Sequence, residues 1–286
     1  ERLEGSSFGS ADANDPFFFI GTFLWAVLHW SLLTLVSIVS NIRQRIRGSY
    51  EMLNTGTVVI MLAALSFSGF KLPHYLNILF PFFSIAVAAF LFRTTKHKLL
   101  LKIQLPIVVV LVAFATVVNK FIFPPIEWHT IIGCAGVLTI GYLLTKDGGS
   151  FSRLIFLTAY AALFANLLFN AHYYPSLLSY QAGKPLATAA KEMKIPKDKI
   201  YYLSGFPSSY SFDFHLGNMV EGITIDELKA KEDPIVIYTD TKGVELLRQH
   251  SLVTDTLATH SDYRVSTPKT KFWNTRSRSE ALNHHY

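Results

Sequence analysis

Phe17–Val39 reads FFFIGTFLWAVLHWSLLTLVSIV, twenty-three residues without a formal charge. A helix rises about 1.5 Å per residue and the hydrocarbon core of a bilayer is about 30 Å thick, so a run of this length is long enough to span it. Working outward, Thr55–Phe70, Tyr75–Phe92, Leu99–Val118, Thr130–Leu144 and Leu154–Asn170 are further apolar runs, for an expected six spans. The fold class expected is a membrane α-helical bundle followed by a small soluble α/β domain.

Composition agrees. Half of the 286 residues are apolar and only 16% are charged, against about 25% in an average soluble domain. The mean hydropathy is +0.31. Residues 1–170 hold 12 Lys/Arg and 7 Asp/Glu, whereas residues 171–286 hold 14 and 13. The second part therefore carries the charge density of a chain in water. Three segments follow: an extracytoplasmic loop over residues 1–16, a transmembrane domain over 17–170, and an extracytoplasmic α/β domain over 171–286. The pI near 9.2 does not point to nucleic acid, because the basic excess sits in short loops between apolar runs.

Orientation follows from those loops. Arg43, Arg45, Arg47, Arg93, Lys96, Lys98, Lys102, Lys146 and Arg153 lie on one side; Arg2, Lys71 and Lys120 lie on the other. The basic-rich side faces the cytoplasm. The chain opens Glu1-Arg2-Leu3-Glu4 without methionine or a basic leader, which leads us to expect a sequence that starts inside a longer protein. The single cysteine, Cys134, lies in an apolar run and reads as a packing residue.

Beyond His172 the pattern changes to shorter segments. Helices are expected over Pro185–Met193, Ile225–Lys231 and Gly243–His250, and strands over Lys199–Leu203, Tyr210–Leu216, Ile235–Tyr238 and Leu252–Leu257. Asp213 and His215 alternate on one of these strands without a third partner for a triad. His284-His285 reads as incidental on a solvated tail, and Asp147-Gly148-Gly149 as a turn. Asn166 and Asn170 read as interhelical hydrogen-bonding residues.

Chemistry concentrates in Ser66-Phe67-Ser68-Gly69-Phe70-Lys71-Leu72-Pro73-His74-Tyr75. A lysine, a helix-interrupting proline, a histidine and a tyrosine meet where two apolar runs join on the outer side. Irregular backbone at that depth requires protein or a watery cavity around it. Lys71 is placed there to meet a phosphate, or to snorkel into lipid headgroups.

This string, with Ile78-Leu79-Phe80-Pro81 after it, resembles the GT-C superfamily of polyprenyl-phosphate-sugar-dependent glycosyltransferases. It is similar to the family 39, protein O-mannosyltransferase-like enzymes and the lipid A aminoarabinose transferase, in which a Lys-x-Pro-x-Tyr segment closes the cavity for the lipid-phosphate headgroup. Glu1-Arg2-Leu3-Glu4-Gly5, Asp15-Pro16-Phe17-Phe18-Phe19 and Trp30-Ser31-Leu32-Leu33 resemble that family's outer loop and following span, with His29 where the family has a proline. The motifs cover Glu1–Phe92.

The resemblance implies a bacterial cell-envelope enzyme of the cytoplasmic (inner) membrane. It would transfer a sugar, with inversion, from a polyprenyl-phosphate donor to a lipid, glycan or protein acceptor. It implies donor contacts from Arg2, Lys71, Tyr75 and His74. The catalytic base would come from an outer loop upstream of residue 1, so this stretch alone is expected to be inactive. Glu1, Glu4, Asp12 and Asp15 read as solvated loop. No cofactor is implied with certainty, although a divalent metal fits the complete protein; the partners are the donor, the acceptor and membrane lipids, with no nucleic acid. The rival reading is a membrane-anchored ligand-binding or transport subunit without catalysis. Spans nearly free of charge, broken only by Pro81 and Pro106, disfavour transport.

Overall fold

The computed structural model describes residues 17–44, 50–68, 71–266 and 269–286. Residues 1–16, with Arg2 and the four acidic residues among them, lie outside the described part. The chain divides into two compact units, residues 1–116 with 131–167, and residues 117–130 with 168–286.

The first unit is helical: α1 (Phe18–Ala26), α2 (Ser31–Gln44), α3 (Tyr50–Ser66) and α4 (Phe80–Arg93), then α5 (His97–Ile122), α6 (Trp128–Lys146) and α7 (Ser150–Leu168). The first three residues of α6, Trp128–Thr130, and the end of α5 from Val117 are assigned to the second unit. Among the described residues, three helices are long and apolar enough to cross a membrane: His97–Ile122, Trp128–Lys146 and Ser150–Leu178. Ser31–Arg43, Leu53–Ser66 and Phe80–Arg93 are apolar but shorter. The third long helix does not stop at Asn170. It passes through a wide π turn at Phe169–Tyr173 into α8 (Tyr174–Leu178). Pro175, which offers no N–H to the ladder, sits at the start of α8, where a missing donor costs least.

The Phe17–Val39 run is two helices rather than one. The chain breaks at Val27–Trp30, between α1 and α2. Side chains donate to carbonyls around the break: Ser31 Oγ to Leu28 O at 3.0 Å, and Thr34 Oγ1 to Trp30 O at 3.0 Å beside the Thr34 N–H that also bonds there. Gln104 on α5 donates Nε2–H to His29 O. In a medium without water such groups must be satisfied internally, and here they are.

Around the break, α2 and α3 both pack on α4. Phe19, Phe23, Val58, Leu76, Leu79 and Phe83 form one buried cluster, in which Phe23 and Phe83 stack at 4.0 Å. At the other end of α4, Arg93 Nη2 donates to Asn41 Oδ1 at 2.9 Å, and Asn41 Nδ2 donates to Thr55 Oγ1 at 3.3 Å. Three helices are thereby tied through one polar chain. Asn166 bonds within its own helix, Nδ2 to Ala162 O at 2.9 Å.

The second unit holds α9 (Gly183–Glu192), β1 (Ile200–Leu203), α10 (Tyr210–Leu216), β2 (Glu221–Ile223), α11 (Ile225–Lys229), β3 (Val236–Tyr238) and α12 (Thr241–Gln249). After these come β4 (His260–Asp262), α13 (Thr270–Trp273) and β5 (Asn283–His285). β1 is the middle of a parallel three-stranded sheet, order β2-β1-β3. β4 and β5 pair antiparallel. Ala182, Leu186 and Ala190 from the α9 region, Phe212 and Leu216 from α10, and Ile200, Tyr202 and Tyr238 from the strands build its core.

Two segments differ from the sequence expectation. Tyr210–Leu216 is helix, not strand: Ser209 Oγ accepts the Phe212 N–H, and Gly217 closes the helix at φ 74. Phe212 and Leu216 are four apart and both buried, so a seven-residue apolar pattern compatible with both periods was decided by its caps. Asp213 and His215 accordingly sit on a helix. Leu252–Leu257 is not a strand of any sheet. The C-terminal histidines are also not on a solvated tail, since they lie in β5 with His285 buried.

Candidate functional site

The outer junction is built from its proline. Leu72 is extended, φ −124° and ψ 136°, as the residue before proline must be. Pro73 then opens a 3-10 helix, Pro73–Ile78, at a position where its missing N–H is not needed. Tyr75 N–H bonds to Leu72 O at 3.1 Å, and Leu79 N–H to Leu76 O at 2.9 Å, before α4 begins. Leu76 and Leu79 are fully buried in the Phe19–Phe83 cluster, with Tyr75 packed beside it. That anchorage fixes what the short helix presents.

Lys71 stands immediately before this turn and is 4% exposed. It is engaged within the protein rather than free. An amine in that position is not reaching into bulk water. His74 is exposed and packs edge-on to the Tyr75 ring, centroids 4.9 Å apart. Lys71, His74 and Tyr75 are thus held on one rigid turn. Arg2 lies outside the described residues.

A feature the sequence reading missed lies one turn further on. An apolar cavity of about 350 Å³ follows α4 along Phe80, Phe83, Val87 and Leu91, with Trp30 and Phe151 also in its lining. The lining residues of α4 recur every three or four positions, one stripe of a helix. That signal is hidden in Phe80–Phe92, because the whole run is apolar and every face looks alike. Over these residues the groove is about 17 Å long at 1.5 Å per residue, and it suits a hydrocarbon chain.

Among the described residues no cluster of three or more His, Cys, Asp or Glu could hold a metal. The Asp213 carboxylate is committed to structure: its Oδ1 accepts from Tyr202 OH at 2.8 Å and from Val220 N–H at 3.2 Å. Compared with family models, curated proteins and solved structures, the chain matches none.

Proposed function

We propose that this chain is part of a multi-pass membrane glycosyltransferase that takes a sugar from a polyprenyl-phosphate donor. In this reading six helical spans cross the bacterial cytoplasmic membrane, and the α/β unit is a soluble domain on the outer side. The acceptor is a lipid, glycan or protein there.

The observation that carries the reading is Lys71: a buried lysine on a proline-interrupted turn, in the segment that leads into α4, whose residues from Phe80 onward line an apolar groove. A cation at the top and a hydrocarbon-lined trough below suit an amphiphile with an anionic head and a long apolar tail. The break at His29, where the resembling family has a proline, adds support.

Chemically, a carboxylate base from upstream takes the proton of an acceptor hydroxyl, whose oxygen attacks the anomeric carbon from the face opposite the phosphate. The carbon–oxygen bond to phosphate breaks and polyprenyl phosphate leaves with the electron pair. Lys71 offers a compact positive charge to the leaving oxygens, Tyr75 a hydroxyl donor, and Arg2 a guanidinium fork, with His74 at the rim.

The test is donor turnover by the complete gene product in membranes. Lys71→Ala should lower transfer on the order of 100-fold, while insertion and thermal stability stay near wild type and Lys71→Arg recovers part of the activity. Unchanged transfer in Lys71→Ala removes Lys71 from the site and the reading with it.

A further inference from the structure

α10 is apolar on both of its faces. Phe212 and Leu216 are buried, whereas Tyr210 and Phe214, four apart on the opposite side, are 74% and 80% exposed. A helix apolar all round is normally covered all round. Apolar side chains scattered singly on a surface need no explanation, but two aromatic rings side by side on one helix face do. Met219, just beyond the Gly217 cap, is exposed as well.

A close approach locates this face. Gly183, at the start of α9, comes so near α10 that a Cβ there would stand 2.6 Å from Ser209 Oγ and 2.7 Å from Phe212 N. The first turn of α10, which carries Tyr210, is thereby held against the first turn of α9. α9 in turn starts close to the end of Ser150–Leu178, one of the helices long and apolar enough to cross a membrane. The chain leaves that helix in a tight turn: Tyr180 N–H bonds to Leu177 O at 3.2 Å and Gln181 N–H to Leu178 O at 3.1 Å. Gly183 follows two residues later, so at about 3.5 Å per residue it stands within roughly 10 Å of Leu178. All of these residues belong to the second unit. A headgroup layer is about 5–7 Å deep on each side of the hydrocarbon. With Leu178 ending the apolar stretch, the first turn of α10 stands at or just beyond the headgroups.

The polar groups around the rings suit the same partner. Lys184, next to the contact glycine, and Lys191, two turns along α9, are exposed. Lys197 Nζ donates to Gly217 O at 3.0 Å at the far end of α10. Lysines and a tyrosine beside a phenylalanine fit a lipid–water boundary, where rings enter the acyl region while hydroxyl and amines stay among phosphates.

We infer that Tyr210 and Phe214 form a lipid-docking face that seats the α/β unit on the bilayer surface. The rings enter the acyl boundary, and the α9 lysines meet lipid phosphates. This rests on the membrane-spanning part of the proposed function and not on sugar transfer.

Bimane fluorescence from single cysteines tests it, in the full chain carrying Cys134→Ala and reconstituted in nanodiscs of phosphatidylcholine and phosphatidylglycerol. Bimane on Tyr210→Cys and on Phe214→Cys should be quenched by doxyl-labelled phospholipid and shielded from aqueous iodide. Bimane on Glu245→Cys, exposed on α12, should behave in reverse. Phe214→Ser should lower the docked-to-free ratio read at position 210 roughly tenfold, the effect of keeping one phenyl ring in water, at an unchanged Tm. Iodide quenching at both positions equal to that at Glu245→Cys overturns the proposal. So does lipid quenching at position 210 that Phe214→Ser leaves unaltered. Bimane on Val109→Cys, at an exposed position of α5, separates the two readings. Lipid quenching there with none at 214 sinks the docking face alone, and none at either sinks the membrane reading with it.

Discussion

Gln104, in the third turn of α5, donates its side-chain N–H to the backbone carbonyl of His29. Seventy-five residues apart in sequence, the two define why the first apolar run is not one helix. A carbonyl released from the ladder in an apolar interior has no water to turn to, and a glutamine on a neighbouring helix substitutes for it. Gln104 is 1% exposed. Gln104→Leu conserves bulk and removes the donor, so it should destabilise the first unit by about 1–3 kcal/mol, the cost of an unsatisfied buried polar group. A fluorescence-detected melt in detergent would register this as a lower Tm; an unchanged Tm would mean that the break holds without this bond.

What the sequence made legible, and what it did not, divides along the same physics. Apolar length disclosed Leu99–Val118 and Thr130–Leu144 as helices, because hydrophobicity over that length has few alternatives. It could not disclose the break at Val27–Trp30, since no proline or glycine marks it and its donor lies on another helix. In the second unit, β1 and β3 were readable as β-branched or aromatic runs, and α12 by its Asp240 cap. β2, β4 and β5 are three residues each, too short for any period. The Lys71–Tyr75 turn was readable from Pro73; the groove beside it was not, because only tertiary packing decides which stripe of α4 is left uncovered.

In the α/β unit the Tyr202 hydroxyl lies 2.8 Å from both Ser209 O and Asp213 Oδ1 and accepts the Ser209 N–H at 3.1 Å. Burial, with the Asp213 carboxylate beside it, pushes the phenol well above its ordinary range. It therefore stays a donor at any physiological pH and holds the entrance of α10 against β1. Tyr202→Phe keeps the ring and removes the donor, for an expected loss of about 1–2 kcal/mol. Urea melts should show a lower midpoint with an unchanged m-value; no shift would reassign the hold on α10 to its Ser209 cap.

The C-terminal strand carries a pH dependence whose sign can be worked out. His285 is 6% exposed, and burial lowers its pKa despite the opposing pull of Asp262, 3.8 Å away, and Asp240. We take desolvation as dominant because the long separation from Asp262 falls short of a close ion pair. The neutral ring is the folded form, so the stabilisation is fully present above the unfolded value of about 6.5 and is lost as pH falls below it. Protection of the Thr239 and Tyr286 amides should weaken as pH falls below about 6.5, after correction for intrinsic exchange. His285→Gln, which cannot titrate there, should flatten the profile.

Arg278 closes the second unit on itself. Its guanidinium carbon lies 4.7 Å from the Phe123 ring centroid and 5.3 Å from that of Phe272. Its Nε–H donates to Phe272 O at 3.0 Å, and an Nη2–H donates to Ile122 O, the last residue of α5. A cation at a helix C-terminus meets carbonyls that have no partner in the ladder. The planar fork does this while stacking on aromatic faces, and a lysine does not. Arg278→Ala should therefore cost about 2–3 kcal/mol, combining charged hydrogen bonds with lost cation–π contact. Arg278→Lys should recover less than half, because it restores charge without the plane. Limited proteolysis reads the outcome locally: cleavage near Trp273–Leu282 should rise in both variants, more in alanine than in lysine. Equal resistance in all three proteins would show that the aromatic cluster of Phe123, Tyr173, Tyr263 and Phe272 holds this end without its cation.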